Sequence, residues 1–293
     1  MNKAIPWIGV LGATGLGALL ALAGSDGGDC LAGIPVFALC VVLAFAIQWL
    51  AFVPAYLAQS ERYYDLTGSF TFLSLALFAL AASEPPDARA TIIALLVACW
   101  ALRLGFFLSA RIRRDGFDRR LSRIKKDFAA FLMTWSLQGA WVTVSFAPGL
   151  AAITASSRVP ADGFLITGVV LWGLGFAIEV AADEQKRRFR SQVANAERFI
   201  TSGLWAWCRH PNYFGEILLW VGIAVAAWPA LQGWALLTLA SPLFIVLLLT
   251  RISGVRMLGA SGQRRWGEDP EYRDYLARTP ALVPRRPKRR PKS

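Results

Sequence analysis

The string Arg209-His210-Pro211-Asn212-Tyr213-Phe214-Gly215-Glu216 gathers the chain's only histidine, a guanidinium, a carboxamide, a phenol and a carboxylate at the mouth of an apolar run. Proline biases His210 away from helix and can itself open a helix whose first turn carries Asn212, Tyr213 and Glu216. A helix mouth rich in donors and acceptors can grip a polar ligand. Upstream, Glu179 and Asp183 lie four residues apart, which places both carboxylates on one helix face. Arg187 and Arg190 continue that face, so one side reads acid, acid, base, base. A solvated stripe at a helix exit would read the same, but Glu179 sits deep in its apolar run, where a carboxylate costs roughly a few kcal/mol. The arginines Arg187, Arg190, Arg198 and Arg209 are natural partners for phosphates.

Other polar groups sit where they are expensive. Arg103 lies inside an apolar helix, within reach of a membrane surface by snorkelling. Residues 59–65 bring Glu61, Tyr63, Tyr64 and Asp65 to a membrane edge, where tyrosine commonly serves as an anchor. Gln48 and Gln138 suit interhelical hydrogen bonds. The glycine cluster Gly12, Gly15 and Gly17 imitates a dinucleotide loop, but it lacks a preceding strand and is continuous with apolar helix, so helix packing is the better reading. One histidine and the cysteines Cys30, Cys40, Cys99 and Cys208, which show no ligand spacing, offer no metal set and read as small core residues.

The elements that must position these groups are membrane helices. With 56% hydrophobic residues and a mean hydropathy of +0.46, the chain is too apolar for a soluble domain of its length. Apolar runs cover residues 5–24, 33–57, 69–82, 90–110, 128–155, 164–182, 213–228 and 231–249. Against the roughly 20 residues a bilayer core demands, two runs are short, which predicts an all-α polytopic membrane protein of 7–8 transmembrane helices. The run at 5–24 lacks a basic start and reads as a first helix rather than a cleaved signal. Arg89 and Arg158 alone charge one set of connections positively, whereas Lys3, Arg62, the run at 111–126, the segment 186–209 and the tail fill the other. That asymmetry puts both termini in the cytoplasm. The net charge of +12 then reads as topology and contact with anionic membrane lipids, with no nucleic-acid partner. A domain division follows: an extra N-terminal helix at 1–30, a membrane domain at 31–284 and a basic tail at 285–293. Glu61, Arg103, Glu179, Asp183, Asn212 and Glu216 fall near cytoplasmic helix ends, where they could converge on one pocket with an apolar floor.

Together, residues 59–68, Trp100 with Arg103, residues 179–185, residues 202–205 with 209–216, Ser253-Gly254, Tyr272, Tyr275 and Pro284 resemble the steroid 5-alpha-reductase-like membrane reductases, in particular their bacterial branch. The likeness covers residues 45–284. It implies an NADPH-dependent oxidoreductase acting on CH-CH groups, reducing the conjugated double bond of a lipophilic, steroid-like or isoprenoid-like enone, with its active site facing the cytoplasm of a bacterial inner membrane. It assigns cofactor binding to Arg103, Glu179, Asp183, Arg187, Arg190, Arg198, Asn212, Tyr213 and Glu216, and catalysis to Glu61 as the acid.

Two residues depart from the family pattern. Trp100 stands where characterised members have a catalytic tyrosine, and indole cannot deliver a proton. Tyr63 or Tyr64 would then take that role. Gly259 falls in the stretch where the bacterial branch tends to carry a glutamate. A closely similar Arg-His-Pro-Asn-Tyr and Gly-Glu string occurs in S-adenosylmethionine-dependent methyltransferases of the isoprenylcysteine carboxyl methyltransferase type, the first alternative. A non-catalytic lipid-binding membrane protein is the second. Substrate identity and oligomeric state are not written in these residues.

Overall fold

The computed structural model describes residues 4–115, 121, 124–252 and 254–286. Ser253, part of the basic run between 111 and 126, Lys3 and the tail from 287 therefore lie outside the described residues. The fold is all-α. Its principal helices are α1 (Ala4–Gly24), α2 (Val36–Leu57), α3 (Tyr64–Ala82), α4 (Ala88–Asp115), α5 (Phe128–Ile153), α6 (Gly163–Ser191), α7 (Pro211–Ala227), α8 (Ser241–Leu247), α9 (Gly254–Trp266) and α10 (Pro270–Arg278). A two-residue hairpin, Cys30–Leu31 against Ile34–Pro35, joins α1 to α2. Among the described residues, seven helical stretches are long and apolar enough to cross a membrane.

The chain divides into two units, residues 1–167 with 223–241 and residues 168–222 with 242–293. In the first, α5 packs against each of α1, α2, α3 and α4. Its 26 residues reach roughly 39 Å, enough to span, yet it carries Ser136, Gln138, Thr143 and Ser145. A helix walled by other helices can hold such groups because its neighbours, not lipid, receive them. Gln48 donates to Thr71 Oγ1 at 2.9 Å and Trp49 Nε1 to Ser136 Oγ at 3.0 Å, so the glutamine of α2 does join helices. Gln138 Nε2 reaches the Tyr64 carbonyl at 3.2 Å. Of the N-terminal glycines, Gly17 is a packing residue, since a Cβ there would lie 2.6 Å from Phe45, while Gly12 and Gly15 face open space.

One charge in this unit has a role that its sequence position hid. Arg89 is fully buried, donates to the carbonyls of Ala226 and Pro160, and pairs with Asp162 at 2.9 Å. Asp162 also caps α6 by accepting from Leu165 N at 3.0 Å, and this hydrogen bond together with Arg89 holds its carboxyl below the usual range. What reads as a loop charge is a structural tie.

Several boundaries differ from those expected. α3 begins at Tyr64, five residues before its apolar run, with Asp65 in the first turn where an acid favours the helix dipole. α6 continues to Ser191 because Glu184 pairs with Arg187 and Arg188 one turn on. The last apolar run is not one regular helix: a 3₁₀ stretch (Gly233–Ala240) precedes α8, and a π turn (Leu248–Ile252) follows it. Of the cysteines expected in the core, Cys40 and Cys208 are buried, whereas Cys30 and Cys99 are exposed.

Candidate functional site

In the second unit, α6 and α7 meet backbone to backbone. A Cβ on Gly175 would lie 2.5 Å from Leu219 N and 2.6 Å from Gly215 O, and one on Gly215 would lie 2.6 Å from Glu179 N. One on Gly222 would lie 2.6 Å from Gly168 O. Glycines seven residues apart on both helices, 168 and 175 against 215 and 222, thus form one close seam, and the two helices run antiparallel along it. The seam sets the register of the polar groups. Glu179, buried, lies against Gly215, and one turn further Asn212 Nδ2 donates to Asp183 Oδ1 at 3.2 Å. The α6 helix thus presents Asp183 to Asn212 at the polar mouth of α7, with Glu179 one turn away.

Pro211 opens α7, and the His210 carbonyl accepts from Phe214 N at 3.2 Å. The imidazole stacks on Tyr213, ring centroids 5.3 Å apart, and is buried. Burial, aided by the charges of Lys186 and Arg209, takes its pKa down to about 4, so it is neutral at ordinary pH. Beside it, three buried polar atoms have no hydrogen-bond partner among the described residues: Arg209 Nε, His210 Nδ1 and Asn212 Oδ1. Such atoms cost free energy unless something satisfies them.

The segment leading into this mouth is tied down from both sides. Gly203, at φ +61°, lets Leu204 N reach Gln185 Oε1 at 2.9 Å. Trp205 Nε1 donates to the Ala182 carbonyl at 3.0 Å under the ammonium of Lys186, 4.6 Å from its ring. Tyr275 OH donates to the Trp205 carbonyl at 2.7 Å, and Arg209 N to that of Pro280 at 2.9 Å. Burial raises the Tyr275 phenol well above its ordinary range, so it keeps the proton it donates to the Trp205 carbonyl. Phe199, Trp266, Tyr272 and Tyr275 form the aromatic cluster beneath. The Tyr213 ring rests against Gly254, where a Cβ would lie 2.7 Å from it.

The remaining second-unit candidates are more open. Glu216 is half-buried, and Arg190 and Arg198 are exposed. Arg187 binds both oxygens of Glu184, at 2.6 and 2.7 Å. Glu184 was not singled out from sequence; its signal is the three- and four-residue spacing to Arg187 and Arg188.

The first unit holds Glu61, Tyr63, Tyr64 and Arg103. Glu61 is buried, and its Oε2 lies 2.6 Å from Lys125 Nζ on the short turn before α5. Lys125 is the functional candidate that sequence reading missed, counted there only as a topological charge. Tyr64 donates its hydroxyl to the Thr134 carbonyl at 3.1 Å and packs edge-on against Trp135, while Tyr63 is exposed under Arg62. The Arg103 guanidinium lies 5.0 Å over Phe107. Trp100 is buried, edge-on to Phe72 at 5.1 Å, and fills a core of aromatic rings. Around Gly259 a side chain would meet nothing, so packing does not require glycine there.

A family described as a protein of unknown function (DUF1295) matches residues 51–279. The chain belongs to this family. The DUF1295 match spans both units and includes every candidate from Glu61 to Glu216. Over 135 residues, 45% of the chain and 46% of the relative, the chain is 32% identical to 3-oxo-5-alpha-steroid 4-dehydrogenase 1 of Rattus norvegicus. To the protein of the same name in Bos taurus it is 35% identical over 74 residues, 25% and 28% of the two lengths. To "Probable O-methyltransferase ustE" of Ustilaginoidea virens it is 26% identical over 87 residues, 30% and 31% of the two lengths. The chain thus spans less than half the length of the curated relatives it matches. No solved structure matches it.

Proposed function

We propose that this DUF1295 chain is an NADPH-dependent membrane oxidoreductase that reduces the conjugated C=C bond of a lipophilic, steroid-like or isoprenoid-like enone. The observation that carries the reading is the α6–α7 seam, which joins Asp183 of α6 to the amide of Asn212 and sets Glu179 against Gly215, in a chain similar to 3-oxo-5-alpha-steroid 4-dehydrogenase 1. The polar set suits a dinucleotide: unsatisfied atoms on Arg209, His210 and Asn212, the amide oxygen of Asn212 an acceptor, for polar rings and ribose, and guanidiniums for phosphates. In this reading Glu179, Asp183, Asn212, Tyr213 and Glu216 hold the cofactor, with Arg187, Arg190 and Arg198 at its phosphates and Arg103 as a further contact. When bound, NADPH supplies hydride for the β carbon of the enone.

Glu61 is the acid of this reading, and with Lys125 paired to it the two orient and polarise the substrate carbonyl. The hydroxyl of Tyr63 or Tyr64 is the second donor. His210, neutral and stacked on Tyr213, shapes the mouth rather than moving protons. The site faces the cytoplasm, both termini lie there, and the membrane is the bacterial inner membrane. The segment at 1–30, which carries α1, is an addition to the catalytic domain at 31–284, and 285–293 is a lipid-attracted tail.

A second reading rests on the likeness to "Probable O-methyltransferase ustE": the same mouth would hold S-adenosylmethionine for methyl transfer. Binding of NADPH and S-adenosylmethionine to the detergent-purified chain, measured side by side, separates the two. The reductase reading expects NADPH binding weakened tenfold or more by Asn212→Ala and by Glu216→Gln. Binding of S-adenosylmethionine alone would overturn it, and binding of neither would favour a lipid-binding protein without catalysis.

A further inference from the structure

A groove of about 920 Å³ runs between α1 and α2, in the first unit. Apart from Trp234 its lining lies ahead of residue 51, where the family match begins, and none of the lining residues has a role in the proposed reaction. Four alanines make the space: Ala18 and Ala21 of α1, and Ala38 and Ala46 of α2. Small residues on facing membrane helices usually let the helices close. Here closure is stopped by glycine contacts beside the groove, where Gly17 meets Phe45 at 2.6 Å from a built Cβ and Gly24 meets Phe37. α1 also rests on α5, so the gap is held open by packing on both sides.

We propose that this groove binds one membrane phospholipid with an amine headgroup, its ammonium at Asp26 and an acyl chain running to Trp49. Length supports a lipid. Pro35, just before α2, and Trp49 within it are the outermost lining residues on that side and lie roughly 21 Å apart at about 1.5 Å per residue. One leaflet with its headgroup layer measures half of about 40–45 Å, the same depth. Charge selects the headgroup. Among the described residues Asp26 is the sole ionisable one in the lining, is exposed, and accepts from Trp234 N with one carboxylate oxygen at 2.8 Å. An anionic headgroup would meet that carboxylate unpaired, whereas an ammonium would pair with it. Trp234, 69% exposed, sits beside Asp26 as tryptophans do at the headgroup level.

The test is native mass spectrometry of the full chain released from micelles containing equal phosphatidylethanolamine and phosphatidylglycerol. One phosphatidylethanolamine is expected per chain, favoured roughly fivefold, the ratio one surface charge gives. Asp26→Asn keeps an acceptor for Trp234 N and is expected to erase the preference. Ala21→Leu with Ala38→Leu fills the groove and is expected to cut retention of either lipid at least tenfold, while Gly12→Ala, facing open space, leaves it unchanged. Retention that survives the filled groove, a preference for phosphatidylglycerol, or a lipid-free dimer of the chain would each overturn the proposal. If the filled variant does not fold, the Asp26→Asn comparison decides alone.

Discussion

The α6–α7 seam can be tested with two glycines two residues apart. At Gly175 a Cβ would lie 2.5 Å from Leu219 N, against 3.4 Å for an ordinary contact, so the helices must part by about 0.9 Å in Gly175→Ala. At Gly173 a Cβ meets nothing within 4 Å. Both substitutions gain the same helix propensity, about 1 kcal/mol, so their difference isolates the overpacking. That difference is expected to be about 1–3 kcal/mol, with Gly175→Ala the less stable. The same displacement would carry the 3.2 Å Asn212–Asp183 hydrogen bond to roughly 4 Å, beyond bonding reach. In detergent, Gly173→Ala should melt at or above wild type and Gly175→Ala several degrees below it, with NADPH binding lost in the second variant alone. Coincident melting of the two would show that the seam does not set the register of the site.

Three further outcomes are expected. The folded pKa of His210, about 4, lies below the unfolded 6.5, so protonation favours the unfolded chain. Its stabilising contribution is complete above 6.5 and is lost as pH falls from there to about 4, up to about 3 kcal/mol. The melting temperature of wild type should therefore drop more steeply over that window than that of His210→Gln, and parallel curves would refute the assignment. Glu61→Gln and Lys125→Met should spare NADPH affinity yet slow turnover of any enone found by tenfold or more, within the usual range for an acid; unchanged turnover in both would remove the pair from the chemistry. Cys30 is exposed in the α1–α2 connection, whereas Cys208 is buried with its thiol pushed up to about 11. A membrane-impermeant maleimide should label Cys30 from outside right-side-out vesicles, and labelling only after inversion would reverse the proposed topology.

Helices were legible because lipid demands long apolar runs, and the glutamine and carboxylates inside those runs stood out because each needs a partner. Glu179 and Asp183 were visible as a pair four residues apart, and α7 does present Asn212 to one of them. Ties formed by residues far apart in the chain were not legible. Lys125 meets Glu61 across 64 positions, and Arg89 meets Asp162 across a comparable span, so each reads in sequence as a loop charge. Boundaries failed where polar pairs extend a helix into water, as Glu184 does for α6. Trp100, a departure from the family pattern when read alone, is ordinary as a core residue once Phe72 and Trp141 surround it.

The shared Arg-His-Pro-Asn-Tyr string now has a physical explanation that is independent of reaction class. Proline sets the start of α7, His210 and Tyr213 stack to close it, and Gly215 lets α6 approach until Asp183 reaches Asn212. Each step requires a residue type at a fixed place, and none specifies what is transferred. A mouth of this construction can serve any polar cofactor that offers an acceptor to Arg209 Nε, a donor to Asn212 Oδ1 and negative charge to the nearby arginines. S-adenosylmethionine carries no phosphate and a net positive sulfonium, so Arg187, Arg190 and Arg198 would find no phosphate partner in it. The arginines therefore carry the distinction, and their neutralisation should weaken NADPH far more than S-adenosylmethionine.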